Sequence, residues 1–410
     1  KMEAIYKCWH QATDKSEIEA LYQTRFNGET TQKLGINIRP MDQSRVFELY
    51  YVPTVALMQR NEWIWQNDRD LCAVLKRLPG VAQERFLVEM IAEELQSSNE
   101  IEGVKSNKCL IADSTKKIRA GEIPTSPRMH SMIQSYLKIE DGSLSLPQVP
   151  ADIRTIYDFI TEGEIAKENL PDGDIFVSEG AEVCGSGYGK IIHKGVVGEA
   201  AITAHVTALL QLLQREDVPF LLKLATAHYY FGYIHPFYDG NGRTNRFITS
   251  LYLSKAYSTM TAYSFSTGCR LKHKNYLALF DKTNRFNSYG EMNFAMMMFL
   301  EILLTGQAHI KQKLEEKEAL LQMARATLQE DAWLRQNELA LIAMDLFCQA
   351  YLFSDGIFTR NELTNLLQDG AKKWSRKACY DCFAALEARG YIQTIKQKPV
   401  EYQMNADVLV

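Results

Sequence analysis

The twelve residues from His235 to Arg246 constrain this chain of 410 residues more than any other stretch. The run reads His-Pro-Phe-Tyr-Asp-Gly-Asn-Gly-Arg-Thr-Asn-Arg. Because proline cannot continue a helix, the helix before it is expected to end at or near His235. The glycines predict a tight turn, and apolar helical spacing resumes after Arg243. The sequence therefore predicts a helix, a glycine-rich turn and a second helix.

The residue types in this turn point to phosphate chemistry. Free N–H groups and the dipole at the start of the second helix favour an anion, and Arg243 and Arg246 share one face of that helix. Asp239 has the short carboxylate expected of a Mg²⁺ ligand shared with phosphate oxygens, and His235 is a candidate proton acceptor. Each residue alone also has an ordinary interpretation as a helix end, a turn or a solvated face. Their combination predicts a metal-bound polyphosphate beside a general base.

The run matches H-P-F-x-D-G-N-G-R-x-x-R, the signature of the Fic (filamentation induced by cAMP) family, at every fixed position. The chain therefore resembles a protein adenylyltransferase, which transfers AMP from ATP to a Ser, Thr or Tyr hydroxyl of a protein and releases pyrophosphate. The resemblance implies that His235 is the general base and that Asp239 holds Mg²⁺. The nucleotide-binding residues it implies are Phe237 as the buried loop anchor, Gly240, Asn241 and Gly242 around the anion hole, Arg243 on the β-phosphate, Arg246 on the γ-phosphate, and Tyr276 in the adenine pocket. Core packing is the alternative role for Tyr276.

The glycine at position 242 narrows the expected reaction. Relatives that phosphorylate their targets have lysine at the matching position, which turns the nucleotide around. Gly242 leaves room for the α-phosphate near His235 and favours nucleotidyl transfer. Relatives that use cytidine diphosphocholine share much of the motif, so a donor other than ATP stays open.

A second motif indicates autoinhibition. Residues 98–103, Ser-Asn-Glu-Ile-Glu-Gly, match the family's inhibitory motif [Ser/Thr]-x-x-x-Glu-[Gly/Asn]. Ser98 and Glu102 are four apart, so both point the same way from one helix. The resemblance implies that Glu102 pairs bidentately with Arg246 and misplaces the phosphates of ATP. A solvated glutamate near a helix end is the alternative, and whether Glu102 also supports AMP removal stays open.

The expected fold class is mainly α. We predict an N-terminal helical region over 1–110, with a helix over 47–78 and the inhibitory helix at about 84–103. A Fic-type helical core follows over 111–307, and its β-hairpin flap over 173–195 is expected to dock the protein substrate by β-augmentation. The flap lacks the prolines that many relatives have after the hairpin, which leaves the docking mode open. A connecting helix over 308–335 leads to a winged-helix domain over 336–410.

Composition bears on location and partners. The net charge of −4 gives no general bias toward nucleic acid, and the most apolar run, 294–304, is interrupted and too short to span a membrane. Eight scattered cysteines are expected to be thiols of a cytoplasmic protein. A basic cluster in the predicted winged helix leaves DNA binding open beside protein binding or a homodimer: Lys372, Lys373, Arg376, Lys377, Lys396 and Lys398. The rival function is therefore a DNA-binding regulator whose Fic part only senses nucleotide.

Overall fold

A computed structural model describes residues 2–122, 124, 129–184, 191–370 and 372–409. The protein is mainly α-helical, as predicted. The helices of these residues are α1 (Ile5–Gln11), α2 (Lys15–Phe26), α3 (Val55–Arg77), α4 (Gly80–Ile101), α5 (Lys108–Arg119), α6 (His130–Glu140), α7 (Pro150–Thr161), α8 (Glu199–Gln214), α9 (Phe220–Ile234), α10 (Asn241–Ala256), α11 (Thr259–Ala262), α12 (Phe265–Leu271), α13 (His273–Thr283), α14 (Asn293–Glu330), α15 (Ala332–Gln336), α16 (Glu338–Phe353), α17 (Arg360–Asp369) and α18 (Arg376–Ala388). The strands are β1 (Gln32–Ile38), β2 (Phe47–Tyr51), β3 (Glu182–Cys184), β4 (Ile191–Lys194), β5 (Ile357–Thr359), β6 (Ile392–Gln397) and β7 (Val400–Met404).

The chain forms two compact units. The first comprises Lys1–Asp70 and Ile91–His309, and the second comprises Leu71–Met90 and Ile310–Val410. All the predicted site residues belong to the first unit.

The N-terminal region contains a sheet as well as helices, and this sheet is a correction to the predicted helical region over 1–110. Strands β1 and β2 pair antiparallel, and β2 occupies the first residues of the predicted helix 47–78. In β1, Leu34, Ile36 and Ile38 are buried while their neighbours are exposed, which is the alternation of a half-buried strand. The backbone of Tyr50 in β2 also bonds to Gly290 and Met292, just before α14.

Helix α9 is the centre of the first unit. Almost all of its residues are buried, and α10 beside it is buried over most of its length. Gly232 allows close packing in α9, since a Cβ there would lie 2.4 Å from the ring of Phe280. The predicted helix, turn and helix therefore lie within the buried core of the first unit.

The predicted break between a core helix and a connecting helix over 308–335 is wrong, because α14 runs without interruption for 38 residues. Gly306 lies within this helix and does not end it. A Cβ at that position would lie 2.2 Å from the carbonyl oxygen of Ser264. The glycine allows close packing of two backbones here.

The C-terminal part of the second unit has helices α16, α17 and α18 and a three-stranded antiparallel sheet in the order β5-β7-β6. Thr359 caps α17, because its hydroxyl accepts the N–H of Glu362 at 3.1 Å. The order of helices and strands is that expected over 336–410, with β5 as an added strand. Its classification as a winged helix stays a prediction.

Within the described residues, each helix is too short or too polar to cross a membrane. The same residues hold no group of three or more His, Cys, Asp or Glu side chains placed to bind a metal ion by themselves.

Candidate active site

His235 lies at the C-terminal end of α9, in a left-handed conformation with φ of 51° and ψ of 62°. Its backbone N–H still donates to the carbonyl of Phe231 at 2.9 Å, and Pro236 then ends the helix. A non-glycine residue with positive φ is uncommon, and such residues often occur at functional sites. The conformation turns His235 out of the helical path and into the loop.

The loop after His235 is fixed from inside by Phe237 and Asn241. Asn241 closes the turn twice, since its Oδ1 accepts the N–H of Phe237 at 3.0 Å and its Nδ2 donates to the Phe237 carbonyl at 2.5 Å. The Phe237 ring is fully buried and stacks on Tyr157 of α7 with centroids 3.7 Å apart. Phe237 therefore holds the loop from inside by packing, and Asn241 holds it by hydrogen bonds.

Gly240 begins α10 in a left-handed conformation, with φ of 79°. A Cβ there would lie 2.8 Å from Thr161 and 3.1 Å from Tyr157, so both conformation and space require glycine. Asp239 before it is exposed, and its Oδ1 accepts the Gly240 N–H at 2.5 Å. An exposed carboxylate at the start of a helix suits a Mg²⁺ ion shared with phosphate oxygens.

Arg246 lies fully buried in α10 and contacts the predicted inhibitory residues. Its Nη2 lies 2.8 Å from Oε1 of Glu102, its Nε donates to the Ser98 hydroxyl at 3.0 Å, and its Nη2 also donates to the Ser98 carbonyl at 2.8 Å. Burial alone would lower the pKa of Arg246, but the charge of Glu102 raises it, and the resulting pKa is above the ordinary value. The structure therefore brings Ser98, Glu102 and Arg246 together.

The Glu102 carboxylate lies directly against Gly242. A Cβ on Gly242 would lie 2.0 Å from Glu102 Oε1 and 3.0 Å from Arg246 Nη1. This is the first turn of α10, where backbone N–H groups attract an anion. Glu102 therefore occupies the place predicted for phosphate.

Arg243, the other arginine of the run, is also paired. Its Nη1 donates to Oε2 of Glu164, and both side chains are almost fully buried, at 4% and 7% exposure. Sequence reasoning missed Glu164, because an isolated glutamate 79 positions away carries no signal of this contact.

Tyr276 lies inside the core beside Arg246, whose Nη1 donates to its hydroxyl at 3.5 Å. The same hydroxyl lies 3.2 Å from Nε2 of His228, a fully buried histidine of α9. Burial, with the charge of Arg246, lowers the pKa of His228 to about 3, so this imidazole is neutral. The Tyr276 hydroxyl thus lies between the side chains of Arg246 and His228. A contact of Tyr276 with adenine stays a prediction.

The predicted flap over 173–195 is shorter than expected. Strands β3 and β4 pair antiparallel, and the turn between them, 185–190, lies outside the described residues. Residues 173–178 form no strand, which corrects the prediction. The N–H groups of Ile175 and Phe176 donate instead to the Glu199 carboxylate, with distances to Oε1 of 2.5 and 2.9 Å.

Strand β4 is attached to the end of α9. Nε2 of His193 lies 2.7 Å from the Tyr233 carbonyl, and Val196 donates its N–H to the Ile234 carbonyl at 2.9 Å. Gly195 packs so closely that a Cβ would lie 3.0 Å from Cβ of His235. The end of the hairpin that follows β4 therefore lies immediately beside His235, the candidate base.

The imidazole of His235 is neutral at physiological pH. Burial, together with the nearby His193, lowers its pKa to about 4. A hydrogen bond to the Gly232 carbonyl and the charges of Glu102 and Asp239 offset only part of this effect. A neutral imidazole can accept a proton, so the electrostatics fit the role of general base.

Comparison with known proteins agrees with this geometry. Residues 150–253, from α7 through most of α10, match the model of the Fic/DOC family. Two crystal structures are similar to this chain: a Fic family protein from Desulfovibrio desulfuricans G20, with 16% identity and a TM-score of 0.49 over 87% of this chain and 98% of that one, and a Fic domain containing signaling protein from Bacteroides thetaiotaomicron VPI-5482, with 18% identity and a TM-score of 0.41 over 61% of this chain and 94% of that one. Both TM-scores are below 0.5, so the assignment depends on the family match and on the loop that it contains. The match to the Fic/DOC family model covers residues 150–253 of this chain, which include the loop from His235 to Arg246.

Proposed function

We propose that this protein is an adenylyltransferase that transfers AMP from ATP to a hydroxyl of a protein substrate, and that Glu102 holds it in an inhibited state. The observation that carries the proposal is a fixed loop, held by Phe237 and Asn241, that leads from His235 at the end of α9 into α10. The first turns of α10 carry the buried Arg243 and Arg246.

In the proposed reaction His235 accepts the proton of a Ser, Thr or Tyr hydroxyl. The hydroxyl oxygen forms a bond to the α-phosphorus of ATP, and the bond from that phosphorus to the β-bridging oxygen breaks, so pyrophosphate leaves. Arg243 and Arg246 would hold the β- and γ-phosphates, and N–H groups of the first turn of α10 would face the anion. Asp239 would hold Mg²⁺, which neutralises phosphate charge when it is bound.

Inhibition follows from the position of Glu102. Its carboxylate pairs with Arg246, the proposed partner of the γ-phosphate. It also lies against Gly242, at the proposed anion site. A nucleotide that binds with its phosphates displaced would react slowly, because transfer in line with the leaving group requires close positioning. Whether the same glutamate also activates water for AMP removal is an open part of the proposal.

The direct test compares the transfer to protein of label from the α-phosphate and from the γ-phosphate of ATP. With Mg²⁺, the Glu102→Gly variant should incorporate label from α-labelled ATP into protein and none from γ-labelled ATP, because the transferred group is AMP. Cytidine diphosphocholine with a labelled choline is the control for another donor. Incorporation of the γ-label would contradict the proposal and indicate phosphoryl transfer.

The protonation of His235 provides an independent check. Since its pKa is lowered to about 4 from the ordinary 6.5, its imidazole should stay neutral from about pH 7.5 down to about 5.5. An ordinary histidine would be mostly protonated at the lower pH. NMR titration of labelled imidazoles, assigned with the His235→Ala variant, measures this directly. A midpoint near 6.5 would remove the electrostatic support for the base.

The rival function, a DNA-binding regulator, gains no support from the second unit. Two of the six lysines and arginines in the predicted basic cluster pair with carboxylates: Lys372 with Glu338, and Lys396 with Glu401 at 2.7 Å. Such pairing reduces the positive charge available to a phosphate backbone. DNA binding, protein binding and dimer formation by residues 336–410 stay predictions.

A further inference from the structure

We propose that Glu164 is a positioning residue for Arg243: its carboxylate holds the guanidinium so that the remaining N–H groups meet the β-phosphate of a bound nucleotide. The inference rests on the proposed function, because the phosphate is the expected ligand of Arg243. It concerns a residue outside the His235–Arg246 run.

The Glu164–Arg243 contact is a buried, charge-assisted pair. Both side chains are almost fully withdrawn from water, at 7% and 4% exposure. A buried ion pair adds little to stability compared with apolar packing, but it strongly restricts the orientation of its members. Such a pair at a ligand site therefore indicates positioning rather than general stabilisation.

The segment that carries Glu164 is built onto the loop. Glu164 follows α7, and its N–H donates to the Thr161 carbonyl at 3.0 Å. Thr161 and Tyr157 of the same segment are the side chains that press on Gly240, and Tyr157 stacks on Phe237. One rigid element thus fixes both the loop backbone and the first arginine of α10.

Arg243 keeps a donor available for a ligand. Its Nε is buried and finds no hydrogen-bond acceptor among the residues that the structure describes. A buried guanidinium N–H without an acceptor is unfavourable, and buried donors are normally satisfied. A phosphate oxygen beside Arg243 would supply the missing acceptor while Glu164 keeps Nη1.

The two carboxylates approach the loop from different sides. The atoms nearest to Gly242 belong to Glu102 and Arg246, whereas those nearest to Gly240 belong to Thr161, Tyr157 and Ile165. Glu102 therefore lies at the proposed anion site itself, whereas Glu164 belongs to the segment after α7 that packs on Gly240. We infer that Glu102 competes with phosphate and that Glu164 orients a group which binds it.

Nucleotide binding tests the proposal without relying on catalysis. In the full-length Glu102→Gly protein, calorimetry would give the Kd values of ATP, ADP and AMP for Glu164→Ala, Glu164→Gln and Glu168→Ala. Glu164→Ala should weaken ATP and ADP about tenfold, the effect of one lost charge-assisted contact, and leave AMP, which has no β-phosphate, within about twofold. Glu164→Gln keeps an acceptor and should change ATP affinity by less than about threefold. Glu168 is exposed in the same segment, so its variant is the matched control.

The pattern across the three nucleotides separates the alternatives. Three results would overturn the proposal. Equal weakening of AMP binding would show a merely structural role, and tighter ATP binding by either Glu164 variant would show that Glu164 competes with phosphate. Unchanged ATP affinity in Glu164→Ala would show that Glu164 does not position Arg243. If the alanine variant fails to fold, Glu164→Asp, one methylene shorter, should give the same selective loss for ATP and ADP. Failure of Glu102→Gly to label protein while these affinities hold would count against the proposed function alone.

Discussion

Replacing His235 with alanine in the Glu102→Gly background should lower the rate of AMP transfer by about 10²- to 10⁴-fold, the usual contribution of a general base. The imidazole is neutral because burial lowers its pKa to about 4, so it can accept the hydroxyl proton throughout the physiological range. Alanine removes the acceptor, while Phe237 and Asn241 continue to fix the loop. The rate is measured as incorporation of α-label into protein under single-turnover conditions.

ATP affinity is the internal control for this variant, since no phosphate contact depends on the imidazole and the Kd should change little. His10, an exposed histidine in α1, gives the matched substitution His10→Ala, which should keep the full rate. Undiminished labelling by the His235→Ala variant would eliminate His235 as the base. A parallel loss of ATP binding would instead indicate that the loop had collapsed.

Replacing Glu102 with glycine alone should raise self-labelling by about 100-fold, the order of rate lost when a reacting group is misplaced by about 1 Å. The carboxylate that lies against Gly242 would be gone, and Arg246 would lose the charge paired with it at 2.8 Å. Arg246 would still be held by Ser98, whose hydroxyl and carbonyl both accept from the guanidinium. The side chain should therefore stay in place and become available to the γ-phosphate.

Glu100 offers the matched control for this increase. It lies two residues earlier in α4, is exposed, and approaches Arg270 at 3.5 Å. Glu100→Gly introduces the same flexibility at the end of the helix without touching the anion site, and it should leave the slow basal rate unchanged. Equal activation by the two glycine variants would attribute the effect to a loosened helix, and an unchanged rate for Glu102→Gly would remove Glu102 as the inhibitor.

Local spacing made much of the site predictable. The turn at 239–242 and the helix after it follow from proline, glycine and apolar periodicity, which act over a few residues. The meeting of Glu102 with Arg246 joins residues 144 positions apart, and only the resemblance to a known family indicated it. Glu164 had no such guide, so its pairing with Arg243 could be found only in three dimensions.

The wrong fold predictions share a cause, which is that tertiary contacts decided between local alternatives. Leu34, Ile36 and Ile38 alternate for only a few residues, and the pairing of β1 with β2 makes a strand of this short pattern. The predicted start of a separate connecting helix at 308 falls inside α14, where the lack of a side chain at Gly306 allows the carbonyl of Ser264 to approach the helix. Ile175, Phe176 and Val177 have strand-forming side chains, but the Glu199 carboxylate accepts the N–H groups of Asp174, Ile175 and Phe176.

Gly242 takes part in both of the proposed states, because a hydrogen atom stands where other residues have a Cβ. The space left by its missing Cβ holds the Glu102 carboxylate in this structure and would hold a phosphate oxygen in the proposed active state. A Cβ at position 242 would lie 2.0 Å from the Glu102 carboxylate in this structure, at the place where the proposal puts a phosphate oxygen. The proposal therefore predicts that substitutions of Glu102, just after α4, act on inhibition alone, whereas substitutions of Gly242 affect both states.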